Sequence, residues 1–147
     1  MNTATTISKD VHNVSTSWKG KFHFESLADG HSIHLDKGTE HGGDGTGPTP
    51  KPLILSAIGG CTGMEIISIL DKMRVHIHQL NIDVTGELTD THPKIYKSVD
   101  VIFNIGGEER DKSKIEKAIQ LAWEKYCGVI AMVKKFAEAT YEIKYIT

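Results

Sequence analysis

Residues 47–74 read GPTPKPLILSAIGGCTGMEIISILDKMR, and the fold class turns on them. Thr49 fits an N-cap and Pro50 the first helical position, where a missing N–H costs nothing. From Pro50 to about Arg74 the spacing predicts a helix. Ile54, Ile58, Cys61, Glu65 and Ser68 fall on one stripe, while Ile66, Ile67, Ile69, Leu70 and Met73 add apolar surface on other sides. A helix apolar nearly all round is expected to be central and covered by several neighbours. In a chain of 147 residues a partner chain can supply part of that cover. Lys72 and Arg74 sit in the last turn, where cations suit the helix dipole.

On the N-terminal side, Val14 to Trp18 and Lys21 to Ser26 read as strands split by Gly20. Asp29-Gly30 is a hairpin turn signal and Ser32 to Leu35 returns from it. Residues 36–50, DKGTEHGGDGTGPTP, are rich in turn formers and predict a long loop. On the C-terminal side, Leu80, Ile82, Val84, Gly86 and Leu88 alternate with polar residues, as do Val99, Val101, Phe103 and Ile105. With Asp90-Thr91-His92-Pro93 between them they predict a hairpin. Ser113 and Glu116 fit a capping box ahead of an amphipathic helix through Ile115, Ala118, Ile119, Ala122, Trp123 and Tyr126. Cys127-Gly128 breaks that helix. A short helix over Val129 to Phe136 and a strand through Tyr141, Ile143 and Tyr145 finish the chain. The order is that of an α+β protein, expected to be a single domain over 1–147 with residues 1–13 as a flexible tail.

A net charge of −2 leaves no basic excess for phosphates, so a nucleic-acid partner is not expected. Nor is a membrane span, which needs about 20 apolar residues. Residues 1–13 lack the apolar core of a signal peptide, and the expected compartment is the cytoplasm. There the two cysteines are poor candidates for a structural staple. Lying 66 positions apart, they form no CxxC signature.

Cys61 alone reads as a small buried hydrophobe. The glycines around it, Gly59, Gly60 and Gly63, each cost about 1 kcal/mol in a helix interior. They allow close packing of another helix, or access of a small molecule to the sulfur. Cys127 at a helix start would face N–H groups that favour a thiolate. Alone it reads as a small residue at a kink. The pairs His31/His34 and His76/His78 lack a zinc-type pattern, so no metal and no cofactor is expected.

Taken together, the stretches 47–74 and AWEKYCGVIAMVKK (122–135) resemble the OsmC/Ohr family of osmotically inducible and organic-hydroperoxide-resistance proteins, in its YhfA-like branch. The resemblance runs from about Trp18 to the C-terminus. It implies an OsmC-like α+β fold, with a sheet wrapped around a long cysteine-bearing helix in an intertwined homodimer whose sites lie at the interface. It also implies thiol peroxidase chemistry, with Cys61 peroxidatic and Cys127 resolving. An organic hydroperoxide would be the substrate and a dithiol the reductant.

One departure matters. Peroxidatic members of the family carry a glutamate ten residues before the first cysteine, paired with an arginine that activates the thiolate. Here that position is Lys51, followed by Pro52, and no arginine precedes Arg74. Candidate activating cations are Lys51, Lys19, Lys21, and Arg74 or Arg110 from a partner chain. Glu65, one turn past Cys61, would oppose ionisation if charged and close. The alternative function is a non-peroxidatic dimer of the same fold that binds a small apolar ligand or senses redox state.

Overall fold

In the computed structural model residues 10–146 are described; most of the tail expected over 1–13 lies outside them. The chain divides into two units, Met1–Leu53 and Ile54–Thr147.

In the N-terminal unit, β1 (Val14–Gly20), β2 (His23–Ala28) and β3 (His31–Leu35) form an antiparallel meander. The first turn holds Gly20 at φ 113° and Lys21 at φ 46°; the second holds Asp29 at 49° and Gly30 at 77°. In the second turn, positive φ at both central residues matches the twist of a two-residue hairpin. The sheet leaves large side chains in solvent: Trp18 is 66% exposed and Val14 60%.

The loop after β3 is organised rather than open. Asp36, 3% exposed, accepts hydrogen bonds from the backbone N–H of Lys37 (2.7 Å), Asp44 (3.3 Å) and Thr46 (3.2 Å) and from the Thr46 hydroxyl (2.7 Å). A 3-10 turn, Thr39–His41, lies inside it. Gly43 is buried against the Lys37 carbonyl, with no room for a Cβ. The Thr46 hydroxyl, above all, holds the Asp36 carboxyl down at about 2, helped by the three amides and opposed by burial. A carboxyl held below its unfolded value of about 3.9 stabilises the fold above that pH. The contribution is lost as pH falls through the folded value. We therefore expect the Asp44 and Thr46 amides to lose hydrogen-exchange protection as pH falls from 5 towards 2. In Asp36→Asn that loss should be absent. Equal acid sensitivity in both proteins would contradict the clamp.

The C-terminal unit carries most of α1 (Pro50–Lys72) together with β4 (Ile77–Leu88), β5 (Tyr96–Gly107), α2 (Lys112–Leu121), α3 (Gly128–Val133) and β6 (Glu138–Tyr145). The sheet order is β4-β5-β6. β4 and β5 pair antiparallel, with Val84 opposite Val101 and Ile82 opposite Phe103, and β6 runs parallel to β5. A parallel neighbour requires a crossover, and α2 and α3 provide it. Ile58, Ile66, Val99, Phe103, Ile115, Ile119 and Ile130 are fully buried in one core.

Four expectations are corrected. First, α1 is not covered on several sides: its buried residues, Ile58, Thr62, Ile66 and Leu70, form a single stripe. The chain covers one face only and leaves Met64 77%, Ile67 48% and Ile54 42% exposed. Second, α1 is by length and composition apolar enough to cross a bilayer, with a window of mean hydropathy 1.8 of which 22% is buried. Third, the capping box is not formed. A 3-10 turn, Glu109–Asp111, runs straight into α2, whose N-cap is Asp111 with no side-chain cap bond. The chain already curls there, at φ −98° and ψ 0°, instead of taking the extended geometry a capping side chain needs. Fourth, the last helix is shorter than expected, Gly128–Val133.

Candidate functional site

α1 carries Cys61 at the margin between its buried stripe and its exposed face, and the side chain is half-buried. The next residue, Thr62, is fully buried. Its hydroxyl donates to the carbonyls of Ile58 (2.7 Å) and Gly59 (3.3 Å), so no polar group is stranded beside the cysteine. Gly59 and Gly63 face β4, where the sequence offered a second helix or a small molecule. A Cβ on Gly63 would come within 3.0 Å of Ile82 Cδ1, and one on Gly59 within 3.8 Å of Val84 Cγ2. Gly60 has open space beside it. Gly60, Gly63, Met64, Ile67, Leu80 and Ile82 line an open, apolar groove of about 720 Å³.

Cys127 is placed by the end of α2. The helix widens there into a π-turn, Ala122–Tyr126, a feature common at functional sites. The turn is pinned by Trp123, whose ring centroid lies 6.3 Å from that of Phe103, edge to face, and 5.0 Å from that of Tyr141. The Cys127 N–H closes the turn on the Ala122 carbonyl (2.9 Å). Cys127 then caps α3, its Sγ accepting from the Ile130 N–H at 3.4 Å.

The two cysteines, 66 positions apart in the chain, meet. Both are free thiols, and the Cys61 thiol lies close enough to the Cys127 thiol to raise it. Burial above all, with Cys61 acting in the same direction, holds the Cys127 thiol up at about 11 against the opposing Ile130 and Val129 amides. The N–H groups at the helix start pull towards the thiolate, as the sequence suggested, and burial outweighs them. At 3% exposure desolvation of the charged form outweighs two amide dipoles.

Glu65 is half-buried one turn beyond Cys61, and Lys51 is exposed at the start of α1, within the N-terminal unit. Three of the candidate cations are engaged with carboxylates: Lys19 with Glu25 (3.3 Å), Lys21 with Asp44 (2.8 Å) and Arg110 with Glu108 (2.8 Å). His34 meets His23 at 2.9 Å rather than His31. Among the described residues no three His, Cys, Asp or Glu side chains gather as a metal site. The sequence reading missed the π-turn and its Trp123 anchor. The apolar spacing there was noticed only as a helix face.

Comparison with known proteins places this geometry. The sequence model of the OsmC-like protein family matches residues 43–142. Protein YhfA of Escherichia coli (strain K12) is 29% identical over 119 residues, covering 81% of this chain and 86% of that protein. The crystal structure of a hypothetical protein from Aquifex aeolicus VF5 is 29% identical, with a TM-score of 0.75 over 94% of this chain and 99% of that one. An organic hydroperoxide resistance protein OsmC from Legionella pneumophila shares the fold at 16% identity, with a TM-score of 0.65 over 91% of this chain and 96% of that one.

Proposed function

The chain belongs to the OsmC-like protein family, and from that membership we propose that it is a thiol-dependent peroxide reductase acting on organic hydroperoxides in oxidative-stress defence. The observation that carries the reading is the nearness of a half-buried Cys61 to a buried Cys127, whose thiol it raises. Family likeness to organic hydroperoxide resistance proteins supports it.

In the cycle, the Cys61 thiolate attacks the terminal peroxide oxygen. The O–O bond breaks, the alcohol leaves with a proton, and Cys61 becomes a sulfenic acid. The Cys127 thiol then attacks the Cys61 sulfur, water departs, and a disulfide joins the two. A dithiol returns both to thiols by exchange. The apolar core against which Cys61 packs favours a hydroperoxide with a hydrocarbon body over hydrogen peroxide. Lys51 and Glu65 act, in this reading, as modulators of Cys61.

The working form is a homodimer in the cytoplasm. Support comes from the bare apolar face of α1 at Met64 and Ile67 and from the exposed Trp18 and Val14 of the N-terminal sheet. Such a face on a lone chain exceeds what scattered surface residues require. A second reading, a non-peroxidatic dimer that binds an apolar ligand or senses redox state, draws on Lys51 at the position where the resemblance implies a glutamate. The two are separated by turnover. With cumene hydroperoxide and excess dithiol the reductase reading expects many equivalents of peroxide consumed per chain. Consumption that stops at one equivalent or fewer would favour the second reading.

A further inference from the structure

We propose that the Cys61–Cys127 disulfide opens in one direction only: the incoming dithiol attacks the Cys61 sulfur, and Cys127 is the leaving thiolate. The proposal deepens the reductase reading and rests on it. Thiol–disulfide exchange needs the attacking sulfur in line with the S–S bond, on the side opposite the leaving sulfur. For attack on Cys127 that side is the protein interior, for Cys127 is 3% exposed among Ala122 and Ile130, both fully buried. The Ile130 N–H also occupies the Cys127 sulfur at 3.4 Å.

Cys61 offers the opposite surroundings. It is half-buried, and Ala57, about one turn before it, is exposed. Leaving-group ability argues the other way, because a thiol of higher pKa leaves more slowly and Cys127 is pushed up to about 11. Access decides, since one of the two sulfurs has no line of approach. The Ile130 N–H hydrogen-bonds the sulfur that leaves.

The steps balance. A dithiol thiolate bonds to the Cys61 sulfur, the S–S bond breaks, and Cys127 departs with the electron pair. It takes a proton from the reductant's second thiol. That second sulfur attacks the first, the mixed disulfide breaks, and Cys61 is released as a thiolate. The reductant leaves as its own disulfide, two electrons poorer.

The test separates this from peroxide turnover. The full chain is oxidised with diamide, mixed briefly with limiting cysteamine, quenched in acid, and the freed thiol is alkylated with N-ethylmaleimide before peptide mass analysis. The expected result is cysteamine on Cys61 and maleimide on Cys127, in at least tenfold excess over the reverse. Equal labelling, or cysteamine mainly on Cys127, would overturn the proposal. Failure of diamide to form the disulfide would overturn it too. A disulfide that forms and opens at Cys61 in a protein that turns over no peroxide would sink the reductase reading alone.

Discussion

Cys61→Ser is expected to lower dithiol-dependent turnover of cumene hydroperoxide by at least about a thousandfold, to the level of the reductant alone. A hydroxyl at that position is not ionised near neutral pH, and loss of the nucleophile removes the step on which every later one depends. The substitution is small, and Cys61 is half-buried at a helix margin, so the fold should be retained within about 1 kcal/mol. Cys127→Ser should behave differently. The Cys61 sulfenate still forms, giving about one equivalent of peroxide consumed, and then persists or climbs to the sulfinic acid. Residual multiple turnover in Cys61→Ser would show that another group does the chemistry.

Phe103→Ala is expected to cost about 3–5 kcal/mol of stability, the usual range for an aromatic removed from a core. Phe103 is fully buried at the middle of β5, paired with Ile82 on one side and Ile143 on the other. It also makes edge contacts to Trp123 and Tyr141 at 6.3 and 5.7 Å. Removing the ring opens a cavity under the π-turn that seats Cys127. Chemical denaturation reads the stability loss. A second effect distinguishes this position from other core sites: diamide should close the Cys61–Cys127 disulfide more slowly in the variant, because its buried partner is no longer fixed. A cost below about 1 kcal/mol, or unaltered closure, would contradict the role given to the Phe103–Trp123–Tyr141 cluster.

Much of this was legible in the sequence, for reasons that differ by element. Alternation marked β4 and β5 because one face of that sheet is buried and the pleat has period two. Pro50 marked the start of α1 because proline suits a first turn. Cys127-Gly128 marked a real break, since Cys127 takes the extended φ −74°, ψ 103° of an N-cap. The pairing of Cys61 with Cys127 was not legible from spacing. It came from resemblance to a family, and the structure sets Cys61 near enough to raise the Cys127 thiol.

What escaped the sequence depends on groups distant along the chain. A helix apolar on several sides says that cover is needed, not which side the chain itself supplies. Ile58 and Met64 look alike in a pattern and end at 0% and 77% exposure. The Asp36 clamp hides in a glycine-rich run because its donors are mainly backbone amides, which every residue but proline carries. The capping box failed for a local reason, a 3-10 turn that pre-empts the extended cap. At Cys127 the helix start was foreseen, but burial was not, and burial sets the direction in which that thiol moves.

The central claim is that Cys61 and Cys127 of one chain form a redox couple. Treating the reduced protein with substoichiometric organic hydroperoxide, then mapping its peptides by mass, tests it most directly. The claim predicts loss of two hydrogens and a cross-link between the Cys61 and Cys127 peptides within one chain, fully reversed by a dithiol. Sulfinic acid on Cys61 with Cys127 still a free thiol, or both thiols untouched, would contradict it.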